Sequence, residues 1–130
     1  MNADEYRLKI DELTYRINGC IYEVANVLGH GFLEKVYENA LACELRNQKF
    51  RVEQQKPLPV LYKGNMVGDY FADLLVENTV LIELKSITTS FQPVHLAQCM
   101  NYLRATNLHV CLLVNFGKPK VEIKRVVRNL

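Results

Sequence analysis

Charges sit inside two apolar runs where a sheet would bury them, and that placement limits what this chain can become. Residues 67–85 read Val-Gly-Asp-Tyr-Phe-Ala-Asp-Leu-Leu-Val-Glu-Asn-Thr-Val-Leu-Ile-Glu-Leu-Lys. Apolar and aromatic residues crowd 70–76 and again 80–84, and the short polar Glu77-Asn78-Thr79 between them suits a tight turn, so the stretch predicts a β-hairpin. Side chains alternate along a strand, which sets Phe71, Asp73 and Leu75 on one face, and Leu81, Glu83 and Lys85 on one face of the partner. Asp73, Glu83 and Lys85 can therefore converge.

Charged groups amid apolar sheet are costly unless they pair or bind a metal. Two nearby carboxylates repel each other, a divalent cation removes that repulsion, and oxygen-only ligation suits Mg²⁺. Lys85, on the same face as Glu83, would stand beside the attacking water or the phosphate it attacks, which equips the site for phosphodiester hydrolysis. A structural ion pair of Lys85 with Glu83 or Asp73 at a strand end accounts for the same residues, because Glu-x-Lys is a common tripeptide.

The rest of the chain supplies helices and strands around this hairpin. Leu13, Ile17, Ile21, Val24 and Leu28 recur at spacings of three and four and predict a first helix, with Asp4 or Asp11 as N-cap and residues 1–10 as an extra helical turn or a frayed lead. Gly29-His30-Gly31 ends it. A second helix is expected over 33–48, with Leu33, Val36, Tyr37, Ala40, Leu41 and Leu45 turned inward. Glu34 falls in its first turn, where the helix dipole alone favours an acid. Tyr37 suits core packing and a functional role equally.

Residues 50–55 predict a first strand that Lys56-Pro57-Leu58-Pro59 interrupts, since proline cannot donate to a ladder, with 60–62 resuming at an edge or bulge. After Lys85 a polar connection leads to a third helix starting at Pro93. On it His95, Gln98 and Tyr102 share one face, and Leu96, Met100 and Leu103 another. A polar helix shoulder explains the first set as well as substrate contact does, and an ordinary hydrogen-bonded histidine suits His95. Residues 108–115 are almost continuously apolar and predict a strand buried on both faces, parallel to a neighbour reached through the third helix. A last edge strand follows, and Lys118, Lys120, Lys124, Arg125 and Arg128 around it suit either a guard against edge pairing or a nucleic-acid track.

Asp73, nine intervening residues and then Glu83-Leu84-Lys85 resembles the signature of the PD-(D/E)XK nuclease superfamily. Gly31-Phe32-Leu33-Glu34-Lys35-Val36-Tyr37 resembles the motif that names the GxxExxY family, placed in that superfamily, and Gln98-x-x-x-Tyr102 resembles a feature of its RecB-like branch. The likeness runs over residues 13–127; Ala72 stands where the superfamily name has proline. The resemblance implies an α/β fold in which one mixed sheet is flanked by helices in the order ααβββαβ(β), with a restriction-endonuclease-like core spanning 1–130 as a single domain. It implies a Mg²⁺- or Mn²⁺-dependent nuclease, with DNA the expected polymer. Asp73, Glu83 and Glu34 would serve the metal with the Leu84 carbonyl as an added ligand, Lys85 would position or activate the attacking water, and Gln98 and Tyr102 would orient substrate. The other expectation is a catalytically silent binding module of the same fold in a larger complex.

The chain of 130 residues carries a net charge of +2, which neither demands nor excludes nucleic acid. Cys20, Cys43, Cys99 and Cys111 lie in apolar contexts without a C-x-x-C, so buried free thiols are expected. The first residues are polar and acidic rather than a secretory signal, and no run is long enough to span a membrane, so a soluble cytoplasmic protein is expected. A homodimer or a protein partner stays open, with no seam for either in the sequence.

Overall fold

The computed structural model describes residues 1–130. Eight elements follow in the expected order: α1 (Ala3–Leu28), α2 (Glu34–Asn47), β1 (Val52–Tyr62), β2 (Asn65–Val76), β3 (Val80–Lys85), α3 (Pro93–Thr106), β4 (Val110–Asn115) and β5 (Glu122–Val127). The strands form one mixed sheet in the order β1-β2-β3-β4-β5. Only β3 and β4 run parallel, joined by the α3 crossover; the other neighbours are antiparallel. This is the α/β fold of a restriction-endonuclease-like core.

Helices cover both faces. Ile17, Ile21, Leu41 and Leu45 of α1 and α2 pack on Val80, Ile82, Leu84 and Leu112, while Cys99, Tyr102 and Leu103 of α3 pack on Leu75, Leu81 and Leu113. Alternation along β3 thus sends Ile82 and Leu84 one way and Leu81, Glu83 and Lys85 the other. The β2–β3 turn is tight as expected, with Glu77 and Asn78 both at positive φ, the backbone of a type I′ turn.

Several boundaries differ from the sequence expectation. Helix α1 starts at Ala3, so the lead before Asp11 is helical, one of the two expected outcomes, but its cap is neither Asp4 nor Asp11: it is Asn2, whose side chain accepts the Glu5 amide at 2.8 Å. Ile10 in the lead is buried, so packing anchors that turn. Asp11 instead meets Arg125 at 2.8 Å. Leu33 and Val36 face solvent, because α2 begins only at Glu34 and its inner stripe is set by Tyr37, Leu41 and Leu45. The prolines do not interrupt β1, which runs through Pro57 and Pro59, while the expected edge position and bulge are both present, the register shifting between Val60 and Leu61. On an edge strand, prolines two apart can turn their nitrogens to the unpaired side. Cys20, Cys99 and Cys111 are buried, but Cys43 is exposed on the outer face of α2.

One local device holds the end of β3. Asn115, fully buried at the end of β4, accepts from the Ile87 and Gly117 amides and donates to the Ile87 carbonyl, while the Phe116 amide bonds the Lys85 carbonyl at 2.9 Å. Gly117 lies against the Ile87 backbone so closely that any Cβ would collide with it. The chain leaving Lys85 is therefore fixed in place.

Candidate active site

The ladder between β2 and β3 has three rungs, Val76↔Val80, Leu75↔Leu81 and Leu74↔Ile82. The next rung would set Asp73 opposite Glu83, and there the strands part. Strict alternation fails at this point, contrary to the sequence expectation: Leu74 packs with α1 and α2, Ala72 packs with α3, and Asp73 stands between them in the opening. Its Oδ2 accepts the Leu84 amide at 2.7 Å, in place of the backbone carbonyl a continued ladder would supply.

Glu83 projects from the α3 face and is almost wholly buried. Its Oε2 accepts the Tyr102 hydroxyl at 3.3 Å and lies 3.7 Å from Lys85 Nζ, whereas its buried Oε1 has no hydrogen-bond partner. Burial first, and then the Asp73 carboxylate, pushes the Glu83 acid up to about 8, against the pull of Lys85. Lys85 Nζ donates to Gln98 Oε1 at 3.2 Å, and Gln98 Nε2 donates to the Tyr102 hydroxyl at 2.8 Å. Burial, followed by the Glu83 charge, raises the Tyr102 hydroxyl above its ordinary value. Asp73, Glu83, Lys85, Gln98 and Tyr102 thus come together at one opening in the sheet.

Glu34 stands apart from this set, exposed in the first turn of α2 and forming no hydrogen bond or ion pair. The acid of α2 that does reach Asp73 is Glu38, one turn further on. Gln55 Nε2 donates to Glu38 Oε1 at 2.6 Å and to Asp73 Oδ1 at 3.2 Å, bridging the two carboxylates. Burial pushes Glu38 up, but hydrogen bonds from Lys35, Gln54 and Gln55 outweigh it and hold Glu38 below the ordinary carboxylate value. Gln55 adopts a φ of 52° opposite Asp73, a conformation that costs a non-glycine residue about 1–3 kcal/mol. Sequence reasoning missed Glu38 and Gln55. The one available signal was a carboxylate at position 38, beside the inner stripe.

Two other residues resolve toward structure. Tyr37 is buried, stacked 4.3 Å from the Phe116 ring, and its hydroxyl donates to the Gly29 carbonyl at 2.8 Å. His95 Nδ1 accepts the Gln92 amide at 2.9 Å and caps α3.

A hard divalent cation fits this donor set. Glu83 Oε1 is a buried carboxylate oxygen lacking any donor, and the Asp73 carboxylate beside it opposes the ionisation of Glu83, the repulsion a cation relieves. No group of three or more His, Cys, Asp or Glu side chains converges here or elsewhere. Mg²⁺ is ordinarily content with one or two protein carboxylates.

The fold and the split-sheet carboxylate pair define a nuclease-like α/β domain. The family model of the PD-(D/E)XK nuclease superfamily matches residues 11–126, and the chain belongs to that superfamily. Among solved structures it is similar to an alkaline exonuclease (LHK-Exo) from Laribacter hongkongensis, at 18% identity and a TM-score of 0.54, covering 73% of this chain and 56% of that one. It is also similar to the protein SSO0001, at 17% identity and a TM-score of 0.57, covering 75% of this chain and 51% of that one. The chain thus spans about half the length of these two structures, and at such identities the likeness establishes the fold. No curated protein matches it. No helix is long and apolar enough to cross a membrane.

Proposed function

We propose that the protein is a metal-dependent nuclease that hydrolyses phosphodiester bonds of nucleic acid, with DNA as its polymer and Mg²⁺ or Mn²⁺ as its metal. The observation that carries this reading is the buried, unpartnered Glu83 Oε1 beside Asp73, with Lys85 Nζ 3.7 Å from the other Glu83 oxygen. Asp73 and Glu83 would hold the cation. The N–H and C=O of one strand residue point to the same side, so the Leu84 carbonyl faces the opening along with its amide and would add a ligand. Glu38, one turn beyond Glu34 and linked to Asp73 through Gln55, is the acid of α2 that would complete the metal's surroundings.

When bound, the metal would supply Lewis-acid activation of the phosphate and lower the pKa of the attacking water. This chain's residues do the rest. Gln98 and Glu83 hold the Lys85 ammonium, whose fixed positive charge orients the water and stabilises charge developing on the phosphate oxygens. Gln55, bonded to Glu38, fixes the rotamer of Asp73. Tyr102 and Gln98 orient substrate. The silent-module alternative has no observation in its favour, since Asp73, Glu83 and Lys85 are all present and connected.

Calorimetric Mg²⁺ titration tests the assignment. Asp73→Ala should lose metal binding and Lys85→Ala should keep most of it; unchanged affinity in Asp73→Ala sinks the metal role. We place the protein in the cytoplasm, where its four free thiols would stay reduced, and within the GxxExxY family and the RecB-like branch, on the Glu34, Tyr37, Gln98 and Tyr102 motifs. A homodimer would use the exposed Tyr62, Met66 and Val67 of the β1–β2 hairpin; sedimentation as a monomer at micromolar concentration ends that idea.

A further inference from the structure

A trough leads away from Lys85 along α3. One cavity of about 380 Å³ opens at Lys85 and is bounded by Gln98, Tyr102, Asn101 and Tyr70. A second, of about 670 Å³, shares Tyr70 and Asn101 with the first and continues to Arg104 and the hairpin residues Pro59 and Leu61. Val94, Ala97, Asn101 and Ala105 recur at steps of three and four, so one face of α3 makes the floor, and the two alanines keep it open. The wall is the part of the β1–β2 hairpin that extends past Leu74, where β2 has left β3.

The lining has a consistent chemistry. Tyr70 is 47% exposed, with its ring 5.9 Å from that of Tyr102 and tilted 53° to it. Arg104 donates to Asn101 Oδ1 at 3.0 Å, which holds the guanidinium over the trough and leaves the Asn101 amide nitrogen available. Lys85, His95 and Arg104 are the ionisable nitrogen bases of the lining, and neither cavity is bordered by a carboxylate. An open aromatic face, side-chain amides and cations without acids match the requirements of unpaired nucleotides, whose bases stack on rings and whose phosphates meet Arg and Lys. A duplex keeps its base faces stacked inside and gives Tyr70 nothing to stack on.

We propose that this trough binds an unpaired polynucleotide strand, with a base against Tyr70 and a phosphate at Arg104, and delivers its backbone to Lys85. The proposal rests on the nuclease reading of the site, which it narrows to substrates that are single-stranded at the point of entry.

Fluorescence anisotropy in EDTA reads binding without cleavage, using labelled unpaired DNA, unpaired RNA and a DNA duplex of the same length. At least one unpaired strand should bind about tenfold or more tighter than the duplex. Tyr70→Ala should weaken that binding about 5- to 150-fold, the worth of one stacked base, while Tyr70→Phe retains it. Arg104→Gln should reduce the slope of log K against log salt by about 0.7, one phosphate on a single strand. Both side chains are exposed, so thermal melts should match those of the native chain. Equal affinity for duplex, or Tyr70→Ala binding that is unchanged, overturns the trough. Strands bound through Tyr70 but never cut with Mg²⁺ or Mn²⁺ would support the trough and contradict the nuclease reading. Cleavage of duplex and unpaired strands at equal rates, indifferent to Tyr70→Ala, would do the reverse.

Discussion

Asp73 Oδ2 accepts the Leu84 backbone amide at 2.7 Å, so a side chain completes the sheet at the point where its own strand departs. The bond is charge-assisted and stabilises by about 1.5–3 kcal/mol. The same carboxylate also raises the Glu83 acid, so Asp73 both supports the fold and opposes its neighbour's ionisation. Asp73→Asn keeps an acceptor for Leu84 and removes the repulsion; Asp73→Ala leaves the amide bare. We expect Asp73→Asn to melt at or above the native metal-free chain and Asp73→Ala to lose about 1.5–3 kcal/mol in urea unfolding. The reverse order would contradict the dual role.

Stability of the metal-free protein should fall as pH rises from 6 to 9. Glu83 has a folded pKa of about 8, above the ordinary value of 4.5, so its contribution is full below the unfolded pKa and is lost as pH climbs through the folded one. Glu38 is shifted downward and acts only at acid pH, and Tyr102, shifted upward, acts only above its ordinary value of 10.0. Glu83→Gln should therefore flatten the 6–9 window. Urea melts at the two ends of the window check this, and a native chain more stable at pH 9 would contradict it.

On binding, Mg²⁺ would displace the proton that burial and the Asp73 carboxylate favour on Glu83. Affinity should rise with pH up to about 8, with up to one proton released per ion at pH 7. Calorimetry in two buffers of different ionisation enthalpy measures the release. Binding without proton release would remove Glu83 from the ligand set.

Gln55→Ala should weaken Mg²⁺ binding about 10- to 100-fold, because Gln55 links Asp73 to the buried Glu38. Titration of the variant gives the affinity directly. An unchanged value would make the Glu38–Gln55 bridge a feature of the fold alone.

How much of this was legible in the sequence follows from the range of each interaction. The hairpin, the turn at Glu77-Asn78, the doubly buried strand before Phe116 and the start of α3 at Pro93 are all local patterns of period or punctuation, and they stand as expected. The approach of Asp73 to Glu83 and Lys85 was also readable from the tight turn, but not the parting of the strands beyond Leu74↔Ile82, which sets Asp73 in the opening instead of on the shared face that alternation predicts. Gln55 and Glu38 were not, because Gln55 meets Glu38 across 17 residues of chain and Asp73 across 18, and the bridge depends on a positive φ that glutamine does not advertise. The edge position of β1 and its bulge were legible from Pro57 and Pro59, whereas the strand's passage through both prolines was not. Asn115 reads as the end of an apolar run, yet it clamps the chain after Lys85.

The most direct test is cleavage of labelled DNA and RNA, single- and double-stranded, with Mn²⁺, Mg²⁺ or EDTA, by the native chain and by Lys85→Ala. The expected result is cutting that requires metal and falls at least about 100-fold in the variant, the scale of losing one fixed transition-state charge contact. Cutting that persists in EDTA, or in Lys85→Ala at the native rate, would contradict the account, as would a native chain that binds Mg²⁺ and cuts none of the four substrates.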